Sequence, residues 1–166
     1  MTAQLFHTFN VERQIFFRSP KSFGLVNLKP LLPGHVLICP QRVVPRLADL
    51  SSDEVSDLFL SVQKVTGVLQ TVYKATGTTI SLQDGPVAGQ SVPHVHVHIL
   101  PRKANDLPNS DDIYGQLDQQ SEEMLQSWQA ALAQRPKFTV VDDESRKPRT
   151  IDEMEEEAKQ LATFFE

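Results

Sequence analysis

The sequence predicts an α+β fold in a single domain, on three observations. Short β-rich runs punctuated by Pro and Gly fill much of the first hundred residues. The clearest is His94-Val95-His96-Val97-His98-Ile99-Leu100, where imidazoles and aliphatics alternate strictly. One long amphipathic helix with its own start and stop signals interrupts these runs at about 51–76. A second capped helix is expected at about 150–165. A length of 166 residues makes one domain the default and permits a core of useful size.

Residues 4–9, 14–18 and 22–28 read as short strands, the last preceded by the turn signal Ser19-Pro20. Asn27 is a polar residue near the end of that run. Lys29-Pro30-Leu31-Leu32-Pro33-Gly34 then forces a defined turn, from which His35 emerges at the start of a strand over 35–39. Arg42 and Arg46 lie in a connector and read as solvated surface. Ser51 and Glu54 form a capping box for the long helix. Its stripe, Val55, Leu58, Phe59, Val62, Val65, Leu69 and Val72, is expected to be core, and Gly77 its stop. Thr78 to Leu82 reads as a strand ending at Gln83-Asp84-Gly85-Pro86. The segment from Val87 through Gly89, Gln90, Ser91 and Val92 to Pro93 leads into the histidine strand. Gly85 and Gly89 permit close backbone approach, and exposed N–H groups in such a loop suit phosphate oxygens. Residues 104–148 are polar and read as a long mobile insertion, with a short helix at about 119–133 whose Trp128 docks on the body. Thr150 and Glu153 cap the last helix, with Met154, Ala158, Leu161 and Phe164 or Phe165 as its stripe.

Composition is that of an ordinary globular domain, 40% hydrophobic and 22% charged. A net charge of −5 argues against a general nucleic-acid binder, so local dipoles and cations must attract any anionic ligand. The single cysteine, Cys39, excludes an intramolecular disulfide and a Cys-rich zinc site, and reads as a small buried hydrophobe. There is no signal-peptide pattern in MTAQLFHTFN and no apolar run of membrane-spanning length. No membrane association is expected. The expected compartment is the cytoplasm, extending also to the nucleus.

On a strand, His94, His96 and His98 would share one face, roughly 7 Å apart between successive Cα atoms. Such a row points either to a metal site or to nucleophilic catalysis. The metal reading fits poorly. The chain lacks the Asp of an H-x-H-x-D-H motif, no Glu follows the strand, and no carboxylate flanks the row to orient ligating imidazoles. The nucleophilic reading suits an activated phosphorus: one imidazole attacks, and a neighbour and the glycine loop bind the oxygens.

The stretch His94–Leu100 matches the His-φ-His-φ-His-φ-φ signature and resembles the histidine triad superfamily. Leu25-Val26-Asn27-x-Lys29-Pro30, Pro33-Gly34-His35-Val36-Leu37, Gln83-Asp84-Gly85-Pro86-x-Ala88-Gly89-Gln90, His98-Ile99-Leu100-Pro101-Arg102-Lys103 and the helix Glu153-Met154-Glu155-x-x-Ala158 are similar to its fragile histidine triad (Fhit) branch, fungal members included. The resemblance covers about 1–104 and 149–166. It implies an antiparallel sheet of about five strands carrying the 51–76 helix, and a two-fold homodimer whose sheets join. A small sheet with apolar edges also tends to be covered or paired.

The resemblance implies a hydrolase of dinucleoside polyphosphates that cleaves diadenosine triphosphate to AMP and ADP through a nucleotidyl-histidine intermediate. His96 matches the nucleophile and His98 the phosphate-contacting partner. His94 and His35 match the residues that support the nucleophile. Gln83, Gly89, Gln90, Ser91 and Val92 match the phosphate-binding group, and Asn27 the ribose contact. Tyr114 falls at the position of a tyrosine linked to signalling in animal members, within a loop that departs from theirs. His7 is one place off the family's N-terminal histidine. No tightly bound cofactor is expected, although magnesium or manganese would accompany the polyphosphate. The alternatives are a nucleotide-sensing protein whose substrate complex is the signal, and a related activity on adenosine phosphosulfate or phosphoramidate.

Overall fold

The structure, a computed structural model, describes residues 3–132 and 148–166. A two-stranded hairpin comes first, β1 (Leu5–Phe6) against β2 (Phe9–Asn10). Then follow β3 (Ile15–Arg18), β4 (Ser22–Val26), β5 (Val36–Pro40), helix α1 (Ser52–Tyr73), β6 (Gly77–Leu82), β7 (Val97–Arg102), α2 (Asp112–Leu132) and α3 (Ile151–Ala162). Strands β3 to β7 form one antiparallel sheet in the order β3-β4-β5-β7-β6. The α+β class and the five-stranded sheet agree with the sequence reading.

Every residue of β4 and β5 is buried, as the interior of a sheet covered by helices requires. Helix α1 lies on this sheet, contacting β7, β5 and β4. Its capping box forms as expected: Ser51 Oγ accepts the Glu54 N–H, and the Glu54 carboxylate accepts the Ser51 N–H. Its core face is Leu58, Ser61, Val62, Val65 and Leu69. Phe59, expected in the core, is instead 41% exposed, because it sits one position outside the buried stripe. The helix ends at Lys74 in the left-handed region (φ 53°), and Gly77 opens β6 rather than stopping the helix. The capping box of α3 also forms, and Met154, Ala158 and Leu161 are its buried face.

Three further expectations are corrected. Residues 4–9 are not one strand: the chain turns at His7 (φ 55°), making the hairpin. The histidine strand begins at Val97, so His94 and His96 precede it. Beyond Ile38 and Val97 the ladder stops, because the Val95 N–H turns to the Val44 carbonyl and the His94 N–H to the Val92 carbonyl. Finally, the segment read as a mobile insertion contains a regular 21-residue helix, α2, with Ile113, Leu117, Gln120, Ser121, Met124 and Trp128 buried. These positions recur at three- and four-residue steps, and that stripe is what docks the helix. Residues 133–147 of the expected insertion lie outside the described residues.

Candidate active site

The histidines converge beside the start of β7. Register places Leu37 opposite His98 and Ser81 opposite His98 on the other side, so β5 and β6 flank it. All of His35, His94, His96 and His98 are buried, which no imidazole tolerates without partners.

Their hydrogen bonds determine their tautomers, because backbone groups terminate each chain of bonds. The Leu31 N–H donates to His35 Nδ1 at 3.1 Å, so that nitrogen carries a lone pair and Nε2 the proton. His35 Nε2–H then donates to His98 Nδ1 at 2.9 Å. His98 must therefore carry its own proton on Nε2, and that buried atom has no protein partner among the described residues. In the other branch, His96 Nδ1 lies 2.7 Å from the His94 carbonyl, an acceptor only, so Nδ1 holds the proton and Nε2 the lone pair. The two rings meet edge to face with centroids 5.2 Å apart.

His94 faces away from this pair. Its Nδ1 accepts the His7 N–H at 2.9 Å and its Nε2 donates to the Pro40 carbonyl at 2.8 Å. Both nitrogens are committed, so His94 can only position its neighbours. The expected single row of imidazoles is thus a pair, His96 and His98, with His94 and His35 behind them. Burial depresses all three triad pKa values. That of His94 falls to about 4, opposed by its bond to Pro40 and aided by His96 and His7. His96 is lowered by burial against its bond to His94, and His98 is held well below the ordinary imidazole value by burial and by His96 and His35. The neutral tautomers are therefore the ground state at neutral pH.

Asn27 sits where the sequence suggested, at the end of β4. Its Oδ1 accepts the Lys29 N–H at 3.2 Å, and its Nδ2 lies 3.2 Å from His35 Nε2. Gln83 and Gly89 are in contact: a Cβ on Gly89, whose φ is 94°, would stand 2.6 Å from Gln83 Nε2. Gln90 differs from expectation. Its Oε1 accepts the Gly85 N–H and its Nε2 donates to the Pro45 carbonyl, both at 2.8 Å, so the side chain staples the loop to the connector. Ser91 Oγ is buried with no partner among the described residues, and Val92 is core. Tyr114 is exposed on α2.

Sequence reasoning missed four contributors, Phe6, Arg149, Asp118 and Ser121. Phe6 packs against His94 and His96, each with centroids 5.5 Å away. Trp128 in turn covers Phe6 and stacks on Phe9. Arg149 donates to the Asn27 carbonyl and pairs with Glu157. Asp118 and Ser121 of α2 bind the Gln83 amide. The four-residue spacing of Ile113 and Leu117 was the available signal for α2; nothing marked Phe6 or Arg149. Among the described residues no group of three or more His, Cys, Asp or Glu has a geometry that would hold a metal ion.

Comparison with known proteins places this geometry in context. Residues 8–105 match the HIT domain family. A relative from Arabidopsis thaliana, named bifunctional bis(5'-adenosyl)-triphosphatase/adenylylsulfatase FHIT, is 46% identical over 154 residues, covering 93% of this chain and 79% of that protein. A Schizosaccharomyces pombe relative, named asymmetrical bis(5'-nucleosyl)-tetraphosphatase, is 46% identical over 169 residues, covering 96% and 93%. The crystal structure of Plasmodium falciparum diadenosine triphosphate hydrolase in complex with cyclomarin A superposes with a TM-score of 0.72 at 28% identity. That match spans 99% of this chain and 85% of the other.

Proposed function

The chain belongs to the HIT domain family, and from that premise we propose that it hydrolyses dinucleoside polyphosphates, splitting diadenosine triphosphate into AMP and ADP. The observation that carries the mechanism is the pairing of a neutral His96, with its Nε2 lone pair unengaged, and a His98 Nε2–H with no acceptor, both among the described residues. A nucleophile and an oxyanion donor stand side by side.

His96 Nε2 attacks the α-phosphorus of the substrate. The phosphoanhydride bond to the bridging oxygen breaks, and ADP leaves with the electron pair. The attacking ring becomes cationic, and the His94 carbonyl on its Nδ1–H stabilises that charge. His98 Nε2–H binds a non-bridging oxygen and stabilises the charge that develops there. Water then attacks the phosphorus and loses a proton to solvent, the P–N bond breaks with its electron pair returning to Nε2, AMP departs and neutral His96 returns. The His98 Nε2 proton is taken by the non-bridging oxygen and the His96 Nδ1 proton by the His94 carbonyl, so neither is directed at the leaving group. The chemistry therefore suits leaving groups that depart as stable anions, such as ADP. His94 and His35 act as positioning residues. Gln83, Gly89 and the loop after it supply phosphate contacts, and Asn27 faces the sugar. A divalent cation would arrive with the polyphosphate.

Two relatives bear names for different polyphosphate lengths, and one name adds adenylylsulfate. A substrate panel of diadenosine tri- and tetraphosphate, adenosine phosphosulfate and adenosine phosphoramidate, with product identification, therefore tests the reading. AMP plus ADP as the preferred reaction supports it. The covalent step is tested by stereochemistry. A chiral α-phosphorothioate substrate in labelled water should be cleaved with net retention, and inversion would refute the intermediate. Replacing His96 by Asn should abolish turnover by several orders of magnitude and leave binding nearly intact.

We also propose a two-fold dimer through β6. This strand is a sheet edge, none of its residues is fully buried, and Ile80 on it and Phe59 and Leu60 on α1 are exposed. Sedimentation at micromolar concentration would distinguish dimer from monomer.

A further inference from the structure

The His96–His98 pair is shut away. His96 is 3% exposed and His98 fully buried. Helix α2 lies behind Phe6, which packs on His96, and is laced to the site at three places. Trp128 packs on Phe6, which itself packs on His96. Gln120 Nε2 donates to the Lys29 carbonyl, beside Asn27, and Glu123 pairs with Lys29 at 3.7 Å. At the third place, both ends of the Gln83 amide are taken: Ser121 Oγ–H donates to its Oε1, and its Nε2 donates to Asp118 Oδ1 at 2.8 Å. Between Asn27–Lys29 and the helix residues Gln120, Met124, Ser127 and Trp128, the remaining space is about 10 Å³, about the minimum for one water. No nucleotide enters such a gap while α2 stays where it is.

The chemistry of the third anchor is informative. Asp118 is exposed, yet its Oδ1 reaches a point 3.4 Å from where a Cβ on Gly89 would be. A carboxylate oxygen thus accepts the Gln83 proton at the glycine of the loop, in the position an anionic ligand would need. Helix α2 carries that carboxylate on the same side as Ser121, three residues on. We propose that Asp118 is an anion-displaced latch. Its carboxylate occupies the seat of a ligand phosphate at Gln83 and Gly89, holds α2 closed over the histidines, and is expelled when a polyphosphate binds. Asp118 thereby helps determine how highly charged a ligand must be to open the site. This inference rests on the nucleotide-hydrolase reading above and deepens it.

Trp128 is the only tryptophan of the sequence and lies on the proposed moving element, fully buried between Phe6 and Phe9. Its emission reports the latch without any chemistry. The experiment titrates inorganic triphosphate into the wild-type protein and the variants Asp118→Ala, Asp118→Asn and Glu122→Gln. Binding is followed by calorimetry and by the emission maximum and acrylamide quenching of Trp128. Glu122 is exposed on α2, so its variant controls for a general change in charge. We expect triphosphate to shift Trp128 emission to the red and raise its quenching in the wild type. Both Asp118 variants should bind roughly three- to tenfold more tightly, the scale of one partly exposed charge-assisted hydrogen bond. Glu122→Gln should match the wild type. Triphosphate that binds with Trp128 unmoved and with equal affinity in all four proteins would overturn the latch and leave the nucleotide site standing. Equal tightening in Glu122→Gln would also overturn it, by reducing the effect to net charge. No binding by any of the four would overturn the nucleotide reading itself, and the latch with it.

Discussion

Neutral buried imidazoles make acid the natural perturbation. His94 is fully buried with its pKa lowered from 6.5 to about 4, burial being the largest cause. The unfolded chain therefore binds a proton in the window between those values that the folded chain refuses. Stability is fully present above pH 6.5 and is lost as pH falls toward 4. The whole difference corresponds to about 3 kcal/mol. About 2 kcal/mol of it disappears between pH 7 and pH 5 by the linkage relation. His96 and His98 are shifted in the same direction and add to the loss. The ion-paired or hydrogen-bonded carboxylates Glu12, Asp84, Asp106, Glu153 and Glu155 have lowered pKa values, and their contributions are lost only as pH falls below the ordinary carboxylate range. The interval from pH 7 to pH 5 therefore isolates the histidines.

Urea denaturation at pH 7 and pH 5, in the wild type and in His94→Asn, measures the effect. The variant will be less stable at both pH values, since it loses the bonds to His7 and Pro40. The decisive quantity is the pH-dependent part, which should shrink by about 2 kcal/mol on removing the titrating ring. The same loss between pH 7 and pH 5 in both proteins would refute the reasoning, because it would mean that His94 ionises alike folded and unfolded.

Three further outcomes are expected. His35→Leu should lower kcat by roughly 10- to 100-fold by releasing the His98 tautomer, whereas His35→Gln, whose amide can accept from Leu31 and donate onward, should retain more activity; steady-state kinetics of the two variants checks this. Trp128→Ala should cost about 3–5 kcal/mol, as for other fully buried large aromatics, measured by thermal or urea unfolding. Elemental analysis should find no stoichiometric zinc or iron, and protein dialysed against a chelator should regain full activity when substrate is supplied with magnesium; activity that tracks a bound transition metal would refute the nucleophilic mechanism.

What could be read from the sequence was what local chemistry dictates. The two capping boxes, Ser51 with Glu54 and Thr150 with Glu153, form as written because partners three residues apart need nothing from the rest of the fold. The turn that delivers His35 was legible for the same reason: Gly34, at φ 84°, lies where a Cβ would stand 2.7 Å from the Tyr73 ring. The strand start was not legible. Alternation from His94 onward describes which residues want water, whereas the ladder depends on β5, and β5 offers its last carbonyl at Pro40 to the His94 side chain instead. Helix α2 was half legible. Met124 and Trp128 stood out, but its stripe continues through Gln120 and Ser121, polar residues buried because Lys29 and Gln83 receive their bonds. Gln90 shows the limit from the other side. An amide in a glycine loop reads as a phosphate contact, and only the fold reveals that both of its ends are already bound.

The protonation pattern of the site follows from two backbone groups that cannot change role. The Leu31 N–H can only donate and the His94 carbonyl can only accept. Between them they force a lone pair onto His96 Nε2 and a proton onto His98 Nε2, whatever the solvent does, provided the rings stay neutral. Burial secures that condition by disfavouring the charged forms. A carboxylate beside the rings would have undone it by drawing a second proton onto one of them. Among the described residues no Asp or Glu is hydrogen-bonded to His94, His96 or His98, as the proposed chemistry requires. That requirement is also why the carboxylate of Asp118 is held on Gln83, outside the imidazole network, where an arriving phosphate can take its place without disturbing the tautomers beneath.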